Sequence, residues 1–152
     1  MSIFHSMNIS ASALTMQRLR MDVVSSNMAN AETTRSKSVN GVWQPYRRKM
    51  VEVSSNESRN SFANIFNDSI SSNGNVGSGV KVTKIKEDQS PFKLVYNPEH
   101  PDADENGYVQ MPNVDPLKEM VDLMGATRAY EANVTVLNAS KGLLMKALEI
   151  GK

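Results

Sequence analysis

The chain has 152 residues and no cysteine. Disulfides, thiolate metal sites and cysteine nucleophiles are therefore excluded together. No apolar run approaches the length of a bilayer span, so direct membrane insertion is not expected. The first residues do not read as a cleavable signal, because Arg18, Arg20 and Asp22 interrupt any apolar core. On sequence logic alone the chain reads as cytoplasmic, although some export routes leave no cleaved segment. An excess of one charge sign is also missing. With 17 basic and 16 acidic side chains, long-range steering toward nucleic acid or anionic lipid is not expected.

Catalytic signatures are absent too. The two histidines, His5 and His100, lie far apart and near no nucleophile motif. No Gly-x-Ser-x-Gly, no His-Glu-x-x-His and no strand-end carboxylate pair occurs. The glycines at 74, 77 and 79 fit neither a phosphate-binding loop nor a dinucleotide fingerprint. Asp102, Asp104, Asn106 and Gly107 match the opening of a calcium-binding EF-hand loop, but the twelfth position is Asn113, not Glu, and no flanking helices are expected. A Pro/Asp/Asn/Gly turn accounts for the same residues. The expectation is no catalytic, cofactor-binding or metal-binding residue, and no enzyme.

What is present is periodicity. Asp115 is a good helix N-cap and Pro116 suits the first helical position. From there Met120, Leu123, Thr127, Tyr130, Val134, Leu137, Lys141, Leu144 and Leu148 alternate steps of three and four, the seam of a coiled coil. Such a helix spans about 50 Å. A second helix is expected from residue 2 to about 30. Met7, Leu14, Met21 and Met28 are seven apart, with Ile9, Met16 and Val23 in a second column. A stripe that wide suits either a helix buried in a bundle or a helix with one partner from its own chain and another from a neighbour. Spacing alone does not separate the two. Ten methionines against four phenylalanines fit adaptable interfaces as well as gap-filling in a core.

Between the helices the period shortens. Trp43, Tyr46 and Met50–Val53 read as extended chain, with Pro45 implying an edge. Arg47-Arg48-Lys49 reads as the charged edge of a sheet, not a nucleic-acid patch. Val80–Ile85 alternates strictly, and Phe92–Tyr96 and Tyr108–Met111 follow as strands. One small antiparallel sheet of three or four strands is the economical expectation. The segment 54–79 is rich in Ser, Asn and Gly and reads as a linker. Phe62, Ile65, Phe66 and Ile70 inside it have the spacing of a short helix.

Specific stretches then carry a resemblance. Ser26-Asn27-Met28-Ala29-Asn30-Ala31 followed by Thr33-Thr34 resembles the N-terminal signature of bacterial flagellar rod and hook proteins. Tyr130-Glu131-Ala132-Asn133-Val134, Leu137-Asn138-Ala139 and Lys146–Gly151 resemble the C-terminal signature of that family. Pro45–Lys49 and the stretch from Lys93 through Val114 narrow it to the proximal-rod branch of the flagellar basal-body rod proteins. The resemblance covers both termini and most of the middle, with 54–79 the exception. It implies an α+β structural protein. Residues 1–34 plus 114–152 would form a helical assembly domain, its helices packed as a coiled-coil-like pair. Residues 35–113 would form a small β-rich middle domain. Expected partners are copies of the chain, other rod proteins, basal-body components and the flagellar type III export apparatus, which needs no cleaved signal. The expected assembly interface is Met7, Leu14, Met21, Asn27, Met28, Ala29 and Asn30 near the N-terminus, with Leu123, Tyr130, Asn133, Val134, Leu137, Leu144 and Leu148 near the C-terminus. Another flagellar axial subunit and a soluble coiled-coil adaptor are the alternatives.

Overall fold

The structure, a computed structural model, describes residues 3–39, 41–56 and 78–151. The segment carrying Phe62, Ile65, Phe66 and Ile70 lies outside the described residues. Among the described residues, two long helices enclose six short strands in the sequence. Helix α1 is Ile3–Ala29 and helix α2 is Pro116–Ile150. The strands are β1 (Lys37–Val39), β2 (Val42–Gln44), β3 (Lys49–Ser55), β4 (Val80–Glu87), β5 (Lys93–Tyr96) and β6 (Tyr108–Met111). The class is α+β, as expected.

The helix ends follow from local chemistry. Asp115 caps α2, its Oδ1 accepting the Leu117 N–H at 3.1 Å and its carbonyl accepting the Glu119 N–H at 3.0 Å. The Leu117 N–H is a first-turn donor with no partner inside the helix, and the Glu119 N–H makes the first i→i−4 bond. At the far end of α1, the backbone N–H of Asn30 and its own side-chain Nδ2 both donate to the Ser26 carbonyl, at 3.2 and 2.9 Å. The side chain thus competes for a helical acceptor, and the helix closes there.

The strands do not form the single sheet expected. They form three separate two-stranded ribbons, β1 with β2, β3 with β4, and β5 with β6. Each ribbon pairs only the facing backbone groups of its two strands, and no third strand joins it among the described residues. In β1–β2 the register pairs Lys37 with Gln44, Ser38 with Trp43 and Val39 with Val42. Gly41, in the two-residue connection, takes φ 82°, a conformation that a β-carbon disfavours. In β3–β4 the Asp88 N–H donates to the Arg48 carbonyl and the Asn56 N–H to the Gly79 carbonyl. The start of β3 therefore lies beside the end of β4, and the two run antiparallel. In β5–β6 Tyr96 pairs with Tyr108 and Val95 with Val109. The turn between them closes through Gly107 at φ 77°, whose N–H donates to the Asp104 carbonyl and whose carbonyl accepts from Asn97.

The chain divides into two compact units. One comprises residues 1–19, 52–84 and 127–152, the other 20–51 and 85–126. Each takes part of both helices and part of the strands. The second unit holds the apolar core among the described residues: Val23, Val24, Tyr46, Val109, Val114 and Ala126 are all buried. In the first unit, the described positions that are buried are polar, Ser10 and Gln17.

Candidate assembly surface

Inside the second unit, three segments distant in sequence meet on one asparagine. Asn27, near the end of α1, is fully buried. Its Nδ2 donates to the Lys49 carbonyl and to Glu119 Oε2, both at 2.9 Å. Its Oδ1 accepts from the Lys49 N–H at 2.9 Å and from the Tyr46 hydroxyl at 3.0 Å. Every hydrogen-bonding position of the amide is used, which is what makes its burial tolerable. Glu119, in the first turn of α2, is also fully buried. Its Oε1 accepts from Arg48 Nε, and Arg48 Nη2 reaches Asp122 Oδ2 at 3.2 Å. Asn113 Oδ1 accepts the Arg48 N–H at 2.8 Å, while its Nδ2 donates to the Asp88 and Ser90 carbonyls. The end of α1, the chain from Tyr46 to Lys49 and the start of α2 are thus joined by side chains with exact donor and acceptor roles.

This changes the place of Asn27. Expected at the assembly surface, it is closed off inside its own chain, because its amide is consumed by Tyr46, Lys49 and Glu119. The cluster Arg47-Arg48-Lys49 likewise is not a solvated edge. Arg48 pairs with Glu119, and the Arg47 guanidinium lies 4.4 Å from the centre of the Phe92 ring.

The remaining expected positions divide by exposure. On α1, Met7, Leu14, Met21 and Met28 are half-buried, as are Ile9 and Met16, while Val23 is buried. Both apolar columns of α1 are therefore at least partly covered within the chain. Asn30 is half-buried and Ala29 is exposed. On α2, Leu123, Tyr130, Asn133, Val134, Leu137 and Leu144 are half-buried and Leu148 is exposed. Asn133 Nδ2 bonds its own helix, donating to the Ala129 carbonyl at 2.8 Å.

The uncovered stripe is on α2, beside the expected seam. Leu117, Val121, Met124, Val136, Leu143 and Ile150 are all exposed, Leu143 at 72% and Ile150 at 85%. Val136, Leu143 and Ile150 are seven apart, a column that the sequence displays but that a search for the longest three-four seam passes over. On α1 the search missed another column. Ser10, Gln17 and Val24, also seven apart, are its most enclosed positions together with Val23 and Asn27. Two of the three are polar, so no hydropathy pattern marks them.

The EF-hand-like residues have other employment. Asp102 accepts from Thr34 Oγ1 at 2.7 Å and from Arg35 Nε at 2.6 Å, with Arg35 Nη2 closing an ion pair. The Arg35 and Thr34 hydrogen bonds hold the Asp102 carboxyl below its ordinary value of 3.8. His5 is exposed, and His100 Nδ1 accepts the Asp102 N–H at 3.1 Å.

Comparison with known proteins assigns the class. Residues 7–37 match the family model described as Flagella basal body rod protein, and residues 105–150 match that of the Flagellar basal body rod FlgEFG protein C-terminal. The two matches fall on the ends of the chain that build α1 and α2, so this is a structural protein of the flagellar basal-body rod and not an enzyme. The whole chain is 66% identical to the flagellar basal-body rod protein FlgC of Bacillus subtilis over 152 residues, 100% of both chains. It is 43% identical to FlgC of Borreliella burgdorferi over 154 residues, covering 99% of this chain and 98% of that one. FlgC of Escherichia coli O6:H1 is 42% identical over 153 residues, 100% of both. The chain belongs to the FlgC family of flagellar basal-body rod proteins.

Proposed function

We propose that the chain assembles helically into the proximal part of the rod, the drive shaft that carries torque from motor to hook across the periplasm. In this reading α1 and α2 act as a coiled-coil-like pair that packs against copies of the chain and other rod proteins. The chain reaches that place through the flagellar type III export apparatus, without a cleaved signal peptide. Among the described residues no helix is long and apolar enough to cross a membrane.

The observation that carries the reading is the bare stripe of α2. Fully covering each large apolar side chain stabilises by about 1.5–3 kcal/mol. That gain is unrealised for Val136, Leu143 and Ile150 in the single chain and becomes available beside a neighbour. A head-to-tail contact whose rotation does not close grows a helical filament. The half-buried seam through Tyr130, Val134, Leu137 and Leu144 serves the subunit's own folding first.

Comparing Leu143→Asp with Leu137→Asp tests this. Leu143 is 72% exposed, so Leu143→Asp in the full chain melts like the parent. Once covered by a neighbour, however, the unpaired charge costs several kcal/mol, and the variant is missing from isolated basal bodies and does not support swimming. Leu137→Asp fails in both respects. Normal swimming and normal incorporation of Leu143→Asp would refute the assembly role of the stripe.

A further inference from the structure

The first turns of α2, in the second unit, set two methionines in water. Leu117, Met120, Val121 and Met124 stand at positions i, i+3, i+4 and i+7, which is one face of a helix. All four are exposed, Met120 at 47% and Met124 at 49%. Glu119 and Ala126, the buried residues of α2, lie on the opposite side. The open face can therefore change chemically without reaching the Asn27–Glu119 junction. The other described methionines of the same unit, Met21, Met28, Met50 and Met111, are all half-buried.

Exposure decides which thioether a soluble oxidant meets, and oxidation turns an apolar side chain into a polar one. The chain has no cysteine, so no thiolate takes the oxidant first. With hydrogen peroxide the step balances as follows. An S–O bond forms as the O–O bond breaks, the proton on the transferred hydroxyl passes to the departing hydroxide, and water leaves. The sulfur is oxidised by two electrons and the peroxide is reduced by two. Met120 and Met124 are one turn apart, so their sulfoxides stand side by side. They would replace half of the apolar face that begins at Leu117 with strong hydrogen-bond acceptors.

We propose that Met120 and Met124 form a modification site for peroxide-class oxidants, and that their conversion to sulfoxides lowers entry of the chain into the rod. The order of oxidation stands on exposure alone. The consequence rests on the assembly reading above, in which a neighbour covers the open face of α2. Because both side chains are open in the free chain, their oxidation leaves the subunit folded and removes only what covering them would contribute.

Hydrogen peroxide is added to the purified full chain, and sulfoxide at each methionine is followed by peptide mass spectrometry. Met120 and Met124 are expected to convert severalfold faster than Met21, Met28, Met50 and Met111. Equal rates would overturn the site. The consequence is read in cells lacking the parent chain. A double variant, Met120→Gln with Met124→Gln, places a polar oxygen at both positions at nearly the same helix propensity. It is expected to melt like the parent, yet to be depleted from isolated basal bodies and to swim poorly. Met120→Leu with Met124→Leu, apolar and inert to peroxide, is expected to enter as the parent does. A glutamine pair that enters as fully as the leucine pair would overturn the control of entry. A glutamine pair that melts well below the parent would overturn it too, by showing that these side chains are not open. Absence of the unsubstituted chain from basal bodies would instead overturn the assembly reading and leave the order of oxidation standing.

Discussion

Asn27 shows how one side chain can hold a fold together without adding apolar area. Its Oδ1 faces two donors and its Nδ2 faces a carbonyl and a carboxylate, so neither a smaller nor an isosteric residue replaces it. Asn27→Ala orphans the Lys49 backbone groups and leaves the Tyr46 hydroxyl only its 3.4 Å contact with Ser26 Oγ, at about 1–3 kcal/mol for each buried group left unpaired. The expected outcome in thermal unfolding of the full chain is a melting temperature lower by roughly 5 °C or more. Asn27→Asp should be at least as damaging, because an acceptor, and a negative one, then faces Glu119. A melting temperature unchanged in both variants would show that the junction is not where the stability lies. Asp102 gives a second residue-scale outcome, this one in pH. Its carboxyl titrates below the ordinary value of 3.8 because Arg35 first, and Thr34 next, favour the charged form. A lowered folded-state value means that the unfolded chain binds more protons, so stability rises with pH through that range. The contribution is complete above the ordinary value and is lost as pH falls below it. In acid unfolding, Asp102→Asn should therefore start less stable and lose less between neutral pH and the acid range than the parent does. A variant whose acid dependence matches the parent's would remove Asp102 from this role.

At the scale of elements, the β3–β4 ribbon meets α1 through a gap that only glycine fits. A β-carbon at Gly79 would lie 2.7 Å from Ser12 Oγ. That oxygen cannot readily withdraw, since it donates to the Ile9 carbonyl at 2.7 Å and accepts the Val80 N–H at 3.1 Å. Gly79→Ala should therefore displace the start of β4 from α1, costing about 1–3 kcal/mol as overpacking does. Faster amide exchange at Val80 and Lys81, with Val109 unaffected, is the expected signature. Gly79→Ala in a Ser12→Ala background should recover most of the loss, and no recovery would place the strain elsewhere. The helices are the elements most legible from the chain, because Asp115, Pro116 and the seven-residue columns act locally and agree with one another. Most strands were legible singly, Lys37–Val39 being the one missed, but not in their pairing. Alternation marks a half-exposed strand at Val80–Ile85, yet nothing in the spacing distinguishes three ribbons from one sheet, since partner choice depends on what covers each face.

For the whole molecule, the contrast between the two units sets the expected behaviour of the free chain. The unit of residues 20–51 and 85–126 has an apolar core and the fully bonded Asn27–Glu119 junction. The described part of the other unit buries Ser10 and Gln17, and Gln17 Oε1 lacks a hydrogen-bond partner among the described residues. Its helical segments leave Leu143, Met145, Leu148 and Ile150 in water. Amide exchange of the free chain should be slow at 20–29 and 116–126 and fast at 3–19 and 127–150, with protection of the latter gained only in the rod. Uniformly slow exchange along both helices in the free chain would contradict this. The residues alone were enough to establish the two helices, the Asp115 cap, the α+β class and the rod-protein signatures. All of these rest on interactions within a turn or two of the chain, or on composition. They could not establish that Asn27 is an internal keystone, that Arg48 belongs to Glu119, or that the open stripe of α2 runs through Val136, Leu143 and Ile150. Those outcomes depend on contacts between groups separated by tens of residues. Which polar group finds a partner, and which apolar column is covered, is settled only when the chain is packed.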